Sequence, residues 1–355
     1  DSKPDIAVIS NDNSNLTILA GVGDGTFTAG PDVKTVDSPV FVATADFNND
    51  GSPDFIVDGN ATSTVEAIPG LPTITGFTTF VDPEPVSAAV ADFNGDGKLD
   101  AITVNATSTT ASILLGRGNG LFDLGTPLTT ASTPTAVTTA DLNVDGKTDV
   151  IILNKLSSVA RVFLGSGDGT FAAYVDYSVG VNPVALAIKD FDHDGNLDLA
   201  VVNSSSNRVT IVKGNGDGTF STNVGYLTAT DPSDIVVSDF NGDGNYDIAV
   251  TSKSTATVSV LIGNGDGSFQ NHIEYIVGNI PTSLVAVDMN NDGLVDIASS
   301  NENDGQVSVL ISNGDGSFKD QSNFSSNPTP GRIISGDFNC NGKIDLAVQN
   351  GIDKK

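Results

Sequence analysis

Asp190-Phe191-Asp192-His193-Asp194-Gly195-Asn196-Leu197-Asp198 decides the reading of this chain, because the same nine-residue phrase, Asp-x-Asn/Asp-x-Asp/Asn-Gly-x-x-Asp, is written seven times. The copies open at Asp46, Asp92, Asp141, Asp190, Asp239, Asp288 and Asp337, 46 residues apart once and then 49 apart five times. A fixed period of this length denotes an array of one small supersecondary unit. It overrides the two ordinary domains that 355 residues would otherwise suggest. The expectation is one domain over residues 1–355, starting and ending part-way through a repeat.

The sequence around the phrase gives the unit. Pro183 opens it, and Val184-Ala185-Leu186-Ala187-Ile188 is an apolar run suited to a strand buried on both faces. After the phrase, Leu199-Ala200-Val201-Val202 reads as a second buried strand and Val209-Thr210-Ile211-Val212 as a third. Gly214 to Phe220 is a tight turn, and the stretch toward Tyr226 reads as an edge-like fourth strand. No helical period is present. Four antiparallel strands per unit, repeated around an axis, are the blades of a propeller, so the expected class is all-β: a seven-bladed β-propeller of four-stranded antiparallel blades. Pro39, Pro85, Pro134, Pro183, Pro232, Pro281 and Pro330 each stand seven residues before a phrase, where a missing N–H at strand entry costs nothing. Phe27, Phe77, Phe122, Phe171, Phe220, Phe269 and Phe318 recur once per unit and read as interblade core. The Gly70–Phe77 segment lacks the Gly-Asp-Gly turn, which predicts an altered outer turn. Counting strands leaves one second strand too many, either Ile6–Ser10 or Leu346–Gln349. A ring closed by joining the last first strand to the N-terminal strands would leave that strand frayed or available for self-association.

The phrase is also an oxygen cage for a hard cation. Calcium takes six to eight oxygens in flexible geometry. Positions 1, 3, 5 and 9 supply side-chain oxygens, position 7 a backbone carbonyl, and Gly at position 6 permits the sharp turn. The candidate ligands are Asp46, Asn48, Asp50, Ser52 and Asp54 in the first loop, then Asp92, Asn94, Asp96, Lys98 and Asp100 in the second. The third holds Asp141, Asn143, Asp145, Lys147 and Asp149; the fourth Asp190, Asp192, Asp194, Asn196 and Asp198. The fifth holds Asp239, Asn241, Asp243, Asn245 and Asp247; the sixth Asp288, Asn290, Asp292, Leu294 and Asp296; the seventh Asp337, Asn339, Asn341, Lys343 and Asp345. Residues at position 7 enter through their carbonyls only. A helical calcium hand would need Glu at position 12, where this chain has Val57, Thr103, Ile152, Val201, Val250, Ser299 and Val348. The loop therefore closes on position 9 and runs straight into a strand. Three or four carboxylates in one tight loop repel unless a cation offsets them. Up to seven structural Ca2+ ions are expected. Magnesium fits worse, because it demands octahedral geometry and keeps its waters. His193 and Cys340 both fall at position 4, pointing away from the cage.

Net charge is −28, and the 21 Asp residues at ligand positions equal three quarters of it. The acidity is a metal-site signature, and it excludes nucleic acid and anionic membrane surfaces as partners. No apolar run reaches the roughly 18 residues of a membrane span. The single cysteine, Cys340, rules out an intrachain disulfide framework. Asn-x-Ser/Thr triplets at Asn15, Asn60, Asn105, Asn203 and Asn323 are candidate glycosylation sites for a secreted protein. With only His193 and His272, neither in a recognisable triad, no catalytic constellation is present and no enzyme is expected. An aromatic sugar platform is also missing, since Trp is absent and the five Tyr do not recur once per unit.

Units such as Val236–Val250 followed by Gly263-Asn264-Gly265-Asp266-Gly267-Ser268-Phe269 resemble FG-GAP/VCBS repeats, over nearly the whole chain. The resemblance implies the seven-bladed propeller of integrin α-subunit heads and some fungal lectins, with calcium between a blade's first and second strands. It also implies extracellular adhesion or ligand recognition, with a protein or glycan held on the face opposite the calcium loops. The Gly-Ala-Pro segment of integrins is missing, so an integrin-like partner is not implied. Two alternatives to a recognition or scaffolding module stand beside it: a subunit of an extracellular fibre assembled through the surplus strand, and a carbohydrate-binding lectin.

Overall fold

The computed structural model describes residues 6–10, 15–21, 27–35, 37, 39–48, 54–59, 64–68, 77–81, 84–326, 329–336 and 344–350. All regular structure among them is strand. The Pro183 unit shows the plan: Pro183–Lys189, Asp198–Asn203, Arg208–Gly214 and Phe220–Leu227 pair in that order as an antiparallel meander. Among the described residues, six sheets of this order open at Pro39, Pro85, Pro134, Pro183, Pro232 and Pro281. In the Pro85 sheet the outer edge is split into Phe122–Leu124 and Leu128–Thr129, both paired to Thr110–Gly116. Pro127 lies in that gap, where its ring removes the N–H a continuous ladder would need.

Burial grades across each sheet as the apolar runs require. Asp100–Asn105, Asp149–Asn154, Asp198–Asn203, Asp247–Ser252 and Asp296–Asn301 are buried at every residue. The outer strands Val175–Ser178, Ile273–Ile276 and Ser322–Ser325 are largely exposed. Neighbouring sheets share their cores. Phe93, Ile102 and Ile113 of the Pro85 sheet pack with Val137, Val150 and Phe163 of the next.

Strand entry at the proline is more elaborate than the sequence suggested. The residue before it takes a left-handed backbone at Glu84, Thr133, Asn182, Asp231, Ile280 and Thr329, with φ between 54 and 62°. This is an unfavourable conformation for a β-branched residue such as Ile280. A hydrogen bond repeats at the corner: the N–H of Ala106, Lys155, Ser204, Lys253 and Glu302 donates to the carbonyl of that residue in five units. Immediately afterwards every first strand carries a register shift, as between Pro232 and Asp234 or Pro281 and Ser283. Such a bulge re-aims the next side chains.

The terminal sheets depart from the expected closure. Ile6–Ser10, Asn15–Gly21 and Phe27–Lys34 form a three-stranded sheet, and Pro330–Gly336 pairs with Asp345–Asn350. Among the described residues the last first strand thus pairs with its own hairpin partner, not with the N-terminal strands. A hairpin closes a much shorter loop than a pairing across the whole chain, so it costs less conformational entropy. Neither candidate surplus strand is left unpaired. The altered turn expected at Gly70–Phe77 lies outside the described residues up to Phe77.

The recurrent phenylalanines do fill interblade core. Phe122, Phe171, Phe269 and Phe318 each meet the phrase's position-2 aromatic from the preceding unit: Phe47, Phe93, Phe191 and Phe240, edge to face, with centroids 5.5–5.7 Å apart. In the remaining described pair Leu142 takes the position-2 place beside Phe220. Side chains of Phe27 and Phe77 lie outside the described set. Position 2, unremarked in the sequence, is therefore half of the interblade contact. Phe240→Ala is expected to cost about 3–5 kcal/mol through lost transfer energy and the cavity left behind. Val224→Ala, on an exposed outer strand, should stay within about 0.5 kcal/mol. Urea denaturation at fixed calcium compares the two; equal costs would show that the edge-to-face pair is not core.

Candidate metal centre

Five loops are described in full: Asp92–Asp100, Asp141–Asp149, Asp190–Asp198, Asp239–Asp247 and Asp288–Asp296. Each is a chain of side-chain-to-backbone turns. The position-1 carboxylate accepts the N–H of the position-6 glycine at 2.8–2.9 Å. Position 3 accepts the N–H of position 5, at 2.8–3.3 Å. Position 5 accepts that of position 7, at 2.8–3.0 Å. At position 1 the second oxygen also accepts a loop amide, so both its oxygens close the loop, whereas positions 3 and 5 each use one. The backbone is left-handed at position 6, as expected for Gly, and also at position 4, at Gly95, Val144, His193, Gly242 and Asn291.

In the fourth loop the carboxylate oxygens of Asp190, Asp192 and Asp194 all lie within 4.8 Å of one another. An ion 2.3–2.6 Å from each oxygen tolerates that spacing. The donor set is oxygen only, which suits calcium. The residues present therefore fit the ion that the phrase predicts.

Position 9 is placed differently. Asp100, Asp149, Asp198, Asp247 and Asp296 are almost completely buried. One oxygen of each accepts the N–H of position 2, at 2.8–3.0 Å. The other accepts the N–H of Gly116, Gly165, Gly214, Gly263 or Ser312, sixteen residues on, at 2.7–2.9 Å. In the first loop Phe47 and Asn48 likewise donate to Asp54. This carboxylate ties the loop to the start of the outer turn, and it is not part of the 1-3-5 convergence. Four of the receiving residues are glycines because a Cβ there would stand 2.1–2.3 Å from the carbonyl of position 8.

Lysines enter the loops, a feature the sequence reading missed. Lys213, on the third strand, binds Asp192 and lies 3.1 Å from Asp194; the two carboxylates hold its ammonium well above the usual lysine range. Lys98 and Lys147, expected to contribute carbonyls only, also pair with Asp96 at 2.9 Å and Asp145 at 3.5 Å. Lys213 was legible only as a residue two strands away in sequence. His193 is exposed and reaches across to Asn245 Oδ1 of the next loop, at 3.1 Å. Asp50, Ser52, Asp337, Asn339, Asn341 and Lys343 lie outside the described residues, as does Cys340.

The glycosylation expectation needs correction at two positions. Asn105 and Asn203 are fully buried. Their amide nitrogens point inward, that of Asn203 donating to the Val201 carbonyl at 2.9 Å and to Thr210 Oγ1 at 3.0 Å. That nitrogen is the glycan attachment atom, so the folded chain cannot carry sugar there. Asn323 sits on an exposed outer strand. The Asn15 side chain and Asn60 are outside the described set.

A family model described as FG-GAP-like repeat matches residues 1–57, 92–152, 141–201, 190–250, 239–299 and 288–348. No curated protein sequence matches. Among solved structures, the chain is similar to a functionally unknown protein from Desulfotomaculum acetoxidans, at 13% identity and a TM-score of 0.63, covering 98% of this chain and 100% of that one. It is also similar to an Agrocybe aegerita lectin that recognises non-reducing terminal N-acetylglucosamine, at 17% identity and 0.61, covering 98% and 96%. A putative 6-phosphogluconolactonase from Bacteroides fragilis aligns at 12% identity and 0.66, covering 98% of each. At these identities the likeness concerns the fold, which is all-β, propeller-like and built of repeated four-stranded sheets.

Burial pushes the Asp198 and Asp247 carboxyls up to about 6, against the opposing pull of their backbone donors and with help from the neighbouring loop charges. Asp100, Asp149 and Asp296 move the same way for the same reason. Unfolded Asp titrates near 3.9. Between about pH 4 and 6 the folded chain therefore binds more protons than the unfolded one, and stability is lost as pH rises through that window. Chelator-treated protein should accordingly show a melting temperature that falls from about pH 4.5 to 6.5. A flat or rising profile would place these carboxyls at their ordinary value.

Proposed function

The chain belongs to the FG-GAP-like repeat family, and from that premise we propose that it is an extracellular recognition module, a seven-bladed β-propeller whose loops are set by structural calcium. The observation that carries the reading is the convergence of Asp190, Asp192 and Asp194 at the turn between first and second strands. Five loops repeat the same turn with Asn in place of the middle carboxylate or Asp192 itself. Calcium would supply charge neutralisation and hold the hairpin; nothing in the loops activates water. Position 1, 3 and 5 oxygens and the position-7 carbonyl would hold the ion, with position 9 buttressing from behind.

The chemistry of these sites supports the extracellular part of this reading. They are exposed, and most mix carboxylate with neutral amide oxygen. Sites of that kind suit the 10⁻⁴–10⁻³ M affinities of extracellular calcium modules. Ligand recognition belongs to the other face, because the loops and the Gly-Asp-Gly turns occupy this one. Gly169 N–H donates to the Phe93 carbonyl at 3.0 Å and Gly267 N–H to that of Phe191 at 3.2 Å, so each outer turn lies on the preceding loop.

Lys213 makes the calcium reading testable. Its ammonium occupies the same oxygens that an ion would take in the fourth loop. Calorimetric titration should show Asp194→Ala losing one calcium equivalent, and Lys213→Met binding calcium several-fold more tightly at one site. If Lys213→Met leaves calcium affinity unchanged and Asp194→Ala leaves stoichiometry unchanged, the loop does not bind calcium and the lysine is its only counter-ion.

A further inference from the structure

The inner strands surround a cavity of about 520 Å³ whose charged lining residues, Asp234 and Arg332, lie on one side. Each first strand enters from the face opposite the loops, so the residues just after its proline sit at that mouth. On one side the lining is uncharged and mixes Val86, Ala136, Val184 and Ala185 with the hydroxyls of Ser87, Thr135 and Thr138. On the other it is Ser233, Asp234, Thr282, Ser283 and Arg332. Asp234, Ser283 and Arg332 occupy equivalent places, two residues after Pro232, Pro281 and Pro330. The first two follow directly on the register shift, in which Ser233 and Thr282 are the extra residues.

Two groups there are not explained by the fold alone. Arg332 is exposed, and among the described residues it makes no ion pair. Among the described residues it is the only cationic one lining the cavity. Asp234 is held by the N–H groups of Ile235 at 2.9 Å and Leu284 at 3.0 Å, and by Ser283. It thus presents a fixed acceptor within the field of Arg332. The hydroxyls of Ser233 and Thr282 are oriented by bonds to the next unit's proline carbonyl, at 3.2 and 3.3 Å. The five-residue climb from Asp234 to the loop at Asp239 spans roughly 17 Å at strand rise, about two Debye lengths in physiological salt. The loop charges therefore do not cancel Arg332.

We infer that this mouth binds a small hydroxylated carboxylate, of the uronic-acid class. Its carboxylate pairs with the Arg332 guanidinium, a geometry arginine favours. Its ring hydroxyls meet Asp234, Ser283 and the oriented serine and threonine, and its less polar face lies on Val86, Val184 and the alanines. This rests on the recognition reading above for the face it uses. It replaces the aromatic platform of a typical sugar site with charge, consistent with a chain lacking Trp.

The test is calorimetric titration of the full chain, in calcium, with D-galacturonate and D-glucuronate. D-galactose, D-glucose and acetate serve as comparisons. One uronate should bind at least about tenfold more tightly than its neutral sugar and than acetate, the scale of one charge-assisted hydrogen-bond pair. Arg332→Ala, at an exposed side chain without an ion pair, should fold normally and lose at least about tenfold in uronate affinity. Asp234→Asn should narrow the gap between uronate and acetate. A trimer of galacturonate binding more tightly than the monomer would identify a polymer end as the source; equal binding would identify the free acid. Equal affinity for acidic and neutral sugars, equal affinity of Arg332→Ala, or no uronate binding by a correctly melting protein overturns the proposal. Calcium titration of the same samples separates its failure from failure of the calcium reading.

Discussion

A carboxylate with both oxygens committed to backbone amides is the constraint on which each unit depends. Asp198 accepts from Phe191 N–H on one side and Gly214 N–H on the other. The first donor belongs to the loop and the second to the end of the third strand. One side chain therefore fixes where the first hairpin ends and where the outer turn begins. Buried amides at such corners must find acceptors, and a neutral side chain could serve only one of them as well. The arrangement excludes a Cβ at position 214, because the carbonyl of Leu197 already stands there. Gly214 thus follows from the position-8 carbonyl, while the sixth loop keeps the same amide bond to Asp296 with Ser312 in that place.

The same carboxylate explains why the phrase pairs with an aromatic residue. Phe191 N–H is held by Asp198, so the Phe191 ring is driven inward, where it meets Phe269 of the next unit. Loop closure and interblade packing are then one event. A change in the loop's charge state acts through this contact on its neighbour. Lys213 is informative here. Uncompensated, Asp190, Asp192 and Asp194 would repel, and a lysine on the third strand offsets part of that charge from within the blade. Lys98 and Lys147, at position 7 of their own loops, pair with Asp96 and Asp145, so loop carboxylates are offset by internal cations from two directions.

Much of this was legible in the sequence because it repeats. The period located the sheets, the apolar runs located the buried strands, and the prolines located strand entry. What stayed hidden depends on through-space relations that a repeat does not announce. Position 9 reads in the sequence as one more ligand, and nothing there reveals that it also accepts an amide sixteen residues away. Asn105 and Asn203 looked like glycosylation sites because a triplet does not reveal burial, and both amides turned out to point inward. Ile280 shows a different blind spot. A β-branched residue gave no hint of the left-handed corner that it occupies, because the corner is imposed by the proline, the bulge and the amide of Glu302 together.

The repeat also hides its own exceptions, and those carry the individuality of the chain. At the place two residues after the proline, the seven units read Phe41, Ser87, Ala136, Ala185, Asp234, Ser283 and Arg332. Backbone geometry is shared there, since nearly every first strand is bulged at that point. A common backbone with divergent side chains is what a scaffold looks like where it is free to specialise. The loops, by contrast, are nearly uniform, because every one of them must satisfy the same amides. Structural demand and sequence variation are thus sorted to opposite ends of the same strands, with the amide-bound acidic end shared and the other end free to differ.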